Sequence, residues 1–198
     1  MKVSHKNSYT HIETGSDTVC FMLSGVGYTY EKPLLYYSTM ALLERGIDVV
    51  QIHYSYEADL LQRPFADIVQ TMLQDIEPVL AAVPHTKAIF IAKSLGTIPL
   101  AAALLKREAY QESSMIFLTP LLKFPEVYEA LLHSTQQGLV VIGTEDPHYD
   151  AGKLEQLGQT GLRIQAVPGA NHSLDVGFDV GGSLHVMSAV MQSIRDSL

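Results

Sequence analysis

Six short apolar runs rich in β-branched and aromatic residues recur along this chain, separated by longer segments of helical period, and this alternation limits the fold more than any other feature. The runs are Val19–Leu23, Val49–His53, Ala88–Ala92, Met115–Thr119, Leu139–Ile142 and Arg163–Val167. They lack the strict polar and apolar alternation of a sheet with one wet face, so both faces are expected to lie under helices, as in a parallel sheet. The periodic segments place helices at Leu34–Arg45, Arg63–Val83, Gly96–Arg107, Pro125–Ser134, Lys153–Leu157 and Ser183–Ser197. Gly46 fits a stop for the first helix and Pro64 an early position in the second. The expected fold is a three-layer α/β sandwich, with a mostly parallel, doubly wound sheet of about six strands. The polar N-terminal stretch is read as a further edge strand. A length of 198 residues fits one domain spanning 1–198, and 47% hydrophobic against 17% charged residues supports a filled core rather than disorder. Only 120–138 has the look of an insertion, so any lid over a site is expected to be modest.

A net charge of -8, with no cluster of Lys and Arg, argues against a nucleic acid or an anionic membrane as partner. The apolar runs are far shorter than a membrane span, and Met1 to Ser16 is polar, so the expected location is cytoplasmic. The single cysteine, Cys20, sits inside an apolar run and is read as a buried strand residue, not a nucleophile.

The segment from Ala88 to Thr97 runs from an apolar strand through small residues into a helical pattern. A serine at so sharp a turn is held in a strained conformation, so the positions two before and two after it must be small. Ala92 and Gly96 meet that need around Ser94. The plain alternative is a serine that caps a helix. A serine hydroxyl is a poor nucleophile at neutral pH and needs a base within hydrogen-bond reach and a carboxylate to orient that base.

Ala92-Lys93-Ser94-Leu95-Gly96 resembles the nucleophile elbow of the α/β-hydrolase superfamily, Gly-x-Ser-x-Gly, with Ala92 in place of the first glycine. The resemblance implies the chain order Ser, acid, His, each following its own strand. Gly143-Thr144-Glu145-Asp146-Pro147 is similar to the family's acid turn and assigns Asp146 as the acid, with Glu145 and Asp150 as competitors. Gly169-Ala170-Asn171-His172-Ser173, between the last run and the last helix, matches the histidine loop and assigns His172. Ser24-Gly25-Val26-Gly27-Tyr28 resembles the oxyanion loop, with Ser24 where the family has histidine. The implied oxyanion donors are the backbone N–H of Leu95, with that of Val26 as the first choice of partner and Gly25 the next. Tyr28, His53 and His148 are pocket candidates. The resemblance spans the chain from about Val19 to the last helix. It implies a serine hydrolase acting on a small carboxylic ester or thioester, with no metal or organic cofactor and a small-molecule acyl substrate.

Other readings carry less. Gly25-Val26-Gly27 follows a strand as a dinucleotide-binding turn does, but the third glycine of that fingerprint would fall at Tyr30. Glu145, Asp146, His148 and Asp150 lack a metal-ligand spacing on a regular element. An acyltransferase with the same residues, or a non-catalytic binding member of the fold, are the remaining alternatives. Lys93, beside Ser94, is read as an ion-paired or surface residue, with attraction of an anionic substrate as the other option.

Overall fold

The structure, a computed structural model, describes residues 1–57 and 59–198. Where one edge strand was expected, the chain opens with two. β1 (Lys2–His5) and β2 (Tyr9–Glu13) pair antiparallel, and β2 pairs antiparallel with β4 (Asp48–Ile52). The expected count of about six strands thus becomes eight. The hairpin was faint in the sequence because β1 is largely exposed and its four residues, Lys-Val-Ser-His, carry almost no apolar signal.

The remaining strands are parallel: β3 (Thr18–Leu23), β4, β5 (Lys87–Lys93), β6 (Ser114–Leu118), β7 (Gly138–Gly143) and β8 (Leu162–Val167). The order across the sheet is β1-β2-β4-β3-β5-β6-β7-β8. The chain therefore winds outward from β3 to β4, then returns to the other side of β3 to lay down β5. That reversal opens a crevice beyond the carboxyl ends of β3 and β5, where ligands bind in open α/β sheets.

Alternate residues of each central strand enter different cores. Val19, Phe21 and Leu23 of β3, with Phe90 and Ala92 of β5, pack against α2 (Phe65–Ala82), α3 (Thr97–Ala102), α4 (Pro125–Leu132) and α5 (Ala151–Leu157). Cys20, Met22, Ile89 and Ile91 face α1 (Pro33–Glu44) and α6 (Val180–Arg195) on the opposite side. Burial on both faces removes the period-2 pattern from the sequence. Gly46, at φ 69°, ends the first helix as expected, whereas Pro64 lies just before α2 rather than within it. The helix expected over Gly96–Arg107 is broken: a 3₁₀ turn at Ser94–Gly96 leads into α3, and Ala103 leaves the helical region before a second 3₁₀ turn at Leu104–Lys106. The segment 120–138 contains α4, the crossover between β6 and β7, and so is part of the helical layer.

Candidate active site

Ser94 sits at the tip of β5 with φ 50°, one of three non-glycine residues with positive φ among the described residues. Such a backbone costs on the order of 1–3 kcal/mol and persists only where its surroundings dictate it. The surroundings are close. A Cβ on Gly96 would lie 2.6 Å from the Leu23 carbonyl oxygen, so the turn after Ser94 seats against β3 only with glycine there. A Cβ on Gly25 would lie 3.0 Å from that of Ser94, which puts the loop after β3 directly against Ser94.

Two further loops are joined to each other by their backbones. Thr144 N–H donates to Val167 O at 2.9 Å, Glu145 N–H to Ala170 O at 2.9 Å, and Gly169 N–H to Thr144 Oγ1 at 2.8 Å. Asn171 shapes the second loop, its Oδ1 accepting from Ser173 N–H at 2.8 Å and Asp175 N–H at 3.1 Å. Together these bonds bring Asp146 Oδ2 to 2.7 Å from His172 Nδ1, and His172 Nε2 to 2.8 Å from Ser94 Oγ.

The Asp146 side chain is fully buried, while that of His172 is about a third exposed. Burial alone would raise the Asp146 carboxyl, but hydrogen bonds from His172 and the His148 N–H, with the charges of both histidines, outweigh it and hold it below the ordinary value. A carboxylate there accepts the Nδ1 proton, which leaves the Nε2 lone pair to accept from the Ser94 hydroxyl. Leu95 N–H is among the first N–H groups of the helical turn, which have no carbonyl partner within it.

A cleft of about 320 Å³ opens over Ser94 and His172, bordered by Val26, Tyr28, Lys32, Pro33, Lys93 and Asp175. A larger hollow of about 680 Å³ lies at the other end of the sheet, among Leu105, Gln111, Glu129 and Gln136, and touches none of these residues.

No protein-family model matches this sequence, and no curated protein does either. Solved structures do match. Est1E from Butyrivibrio proteoclasticus is similar over 99% of this chain and 96% of its own, with TM-score 0.71 and 13% identity. A dienelactone hydrolase from Anabaena variabilis matches over 96% and 91%, with TM-score 0.67 and 20% identity. An esterase from Pyrococcus furiosus matches over 96% and 85%, with TM-score 0.64 and 13% identity. The chain has the α/β-hydrolase fold.

Within this hydrolase fold several expected residues take other places. His53 does not border the cleft: its Nε2 lies 3.1 Å from Thr10 Oγ1 on the added strand β2. His148 stands behind His172, ring centroids 5.7 Å apart, and its contribution to the site is the N–H donated to Asp146 Oδ1 at 2.8 Å. Asp150 caps α5 through Lys153 N–H, and Glu145 is exposed. Tyr28 does border the cleft, and its hydroxyl accepts from Leu34 N–H at 3.2 Å.

Lys93 is the largest departure. Expected at the surface or in an ion pair, it is 1% exposed, and among the described residues no carboxylate is in ion-pair contact with it. Asn171, Tyr54 and Thr119 were not singled out from the sequence. Asn171 does sit in an Asn-x-Ser turn signal, and Tyr54 donates to Ser24 O at 2.8 Å beneath the glycine loop.

Proposed function

We propose that this chain is a serine hydrolase that cleaves a small carboxylic ester or thioester through an acyl-enzyme on Ser94. The observation that carries the proposal is the unbroken line from Asp146 through His172 to Ser94, at 2.7 and 2.8 Å. The cleft of about 320 Å³ favours a small acyl group, and the similar structures include a protein described as an esterase and a dienelactone hydrolase.

His172 Nε2 takes the hydroxyl proton as Ser94 Oγ adds to the acyl carbonyl, and Asp146 stabilises the resulting imidazolium. The oxyanion is met by Leu95 N–H, together with Val26 N–H or, next, Gly25 N–H. His172 then protonates the departing alcohol or thiol, and a water activated by the same nitrogen releases the acid and restores Ser94.

A fluorophosphonate probe followed by peptide mapping tests the proposal. Wild-type protein is expected to carry the label on Ser94, and Ser94→Ala to carry none and to lose p-nitrophenyl acetate turnover while keeping its fold. Folded wild-type protein that stays unlabelled where a known serine hydrolase reacts would overturn the proposal.

A further inference from the structure

A lysine rarely lies fully buried without a carboxylate partner. Lys93, one residue before Ser94, does so at the point where four loops of the site meet. Its Nζ donates to Thr119 Oγ1 at 3.2 Å and to the His172 carbonyl oxygen at 3.1 Å, and it lies 4.4 Å from the centroid of the Tyr28 ring. An ammonium has three N–H groups. Two reach oxygens and the third is left for the ring face, so the ammonium is held within the protein although Lys93 lies on the wall of the cleft.

The partner at Thr119 is itself unusual. It is a fully buried β-branched residue with φ 48°, at the end of β6, beside the strained Ser94 at the end of β5. A β-branched side chain in that region is strained and needs compensation from its neighbours. Its hydroxyl accepts from the Lys93 ammonium, and its backbone N–H donates to Val141 O at 2.7 Å.

We infer that Lys93 is a positioning residue: its ammonium ties the backbone of His172 to the nucleophile's own strand and so keeps the imidazole in line with Ser94. The inference rests on Ser94 and His172 acting as proposed above. The charge matters as well as the shape. Burial depresses the Lys93 ammonium to about 8, against an opposing pull from the Asp146 charge. The charged or titratable groups around it are Asp146 after β7, His172 and Asp175 after β8, and Tyr28 and Lys32 after β3. Above that value the amine is neutral, keeps two N–H groups, and loses the charge that strengthens the bond to His172 O and faces the Tyr28 ring.

The test is the rate of fluorophosphonate labelling against pH in wild type, Lys93→Met and Thr119→Val. Wild-type labelling is expected to fall as pH rises through about 8. Lys93→Met is expected to react roughly tenfold to a hundredfold more slowly, the range for one lost charge-assisted hydrogen bond, and to show no such fall. Thr119→Val keeps the side-chain shape but removes an acceptor for the ammonium, so its fall should come at lower pH. Hydrogen exchange at the Ser173 and Leu174 amides, read without any probe, should speed up in Lys93→Met. A Lys93→Met protein with wild-type rate, profile and exchange would overturn the inference and leave the Ser94 assignment standing. If Lys93→Met does not fold, an unmoved profile in Thr119→Val would overturn it equally. Absence of labelling in all three would sink both.

Discussion

Gly143 shows how tightly one residue type can be dictated by its neighbours. A Cβ at that position would lie 2.0 Å from the Ala170 carbonyl oxygen and 2.9 Å from that of Asn171, both rigid backbone. Gly143→Ala should therefore push the acid turn away from the histidine loop, at a cost of about 3 kcal/mol, the upper part of the overpacking range. Urea melts would report the stability loss, and labelling of Ser94 should slow more than the melt implies because Asp146 and His172 no longer meet. Full stability in the variant would mean that the two loops are not joined as described. At this scale the sequence was legible where a residue's placement depends on its own strand and turn. Ser94, Asp146 and His172 each follow a recognisable run and a small residue. Lys93 was not legible, because its burial is made by Tyr28, Thr119 and His172, which arrive from three separate loops. His53 was misplaced for a related reason: its ring is held by Thr10, on a strand the sequence barely marked.

Among the elements, the N-terminal hairpin is fastened to the parallel sheet by Asp48. Its Oδ1 accepts from Thr14 N–H at 2.7 Å, Thr14 Oγ1 at 2.8 Å, and the N–H groups of Gly15 and Ser16 at 3.1 Å each, while Oδ2 lies 3.1 Å from His11 Nε2. Burial works to raise this carboxyl, but the bonds from Thr14, Ser16 and His11 outweigh it and hold it below the ordinary value. A carboxyl depressed in the folded state stabilises the fold above its unfolded value of about 3.9 and loses that contribution as pH falls through the folded value. Asp48→Asn should therefore be about 1–3 kcal/mol less stable than wild type near neutral pH, with the gap closing only below about pH 4. Denaturant melts of both proteins across that range measure it, and a gap unchanged in strong acid would rule the carboxylate out as its source. Helix ends were less legible than helices. Asp150 and Asp179 cap α5 and α6 one or more turns of sequence away from the strongest apolar signal, so both helices start earlier than the periodicity suggested.

For the molecule as a whole, the sequence specified two-sided burial but not the order of the strands. The crevice depends on β5 returning to the far side of β3, a choice made by helix packing on both faces and not by any local motif. The same arrangement puts Cys20 in the middle of β3, fully buried beneath α1 and α6, with burial pushing its thiol well above the ordinary range. Both strands beside β3, β4 and β5, are themselves interior to the sheet. The thiol can therefore react with a water-soluble reagent only when the α1/α6 layer lifts or the whole sheet opens. Native-state labelling with an aromatic disulfide distinguishes the two, because the denaturant dependence of each opening scales with the surface it exposes. The shared apolar core binds α1 and α6 together over β3, and so favours global opening. Cys20 labelling should accordingly show the same denaturant slope and the same free energy as equilibrium unfolding. A markedly shallower slope would mean that the α1/α6 layer opens on its own, and that the two cores do not melt as one.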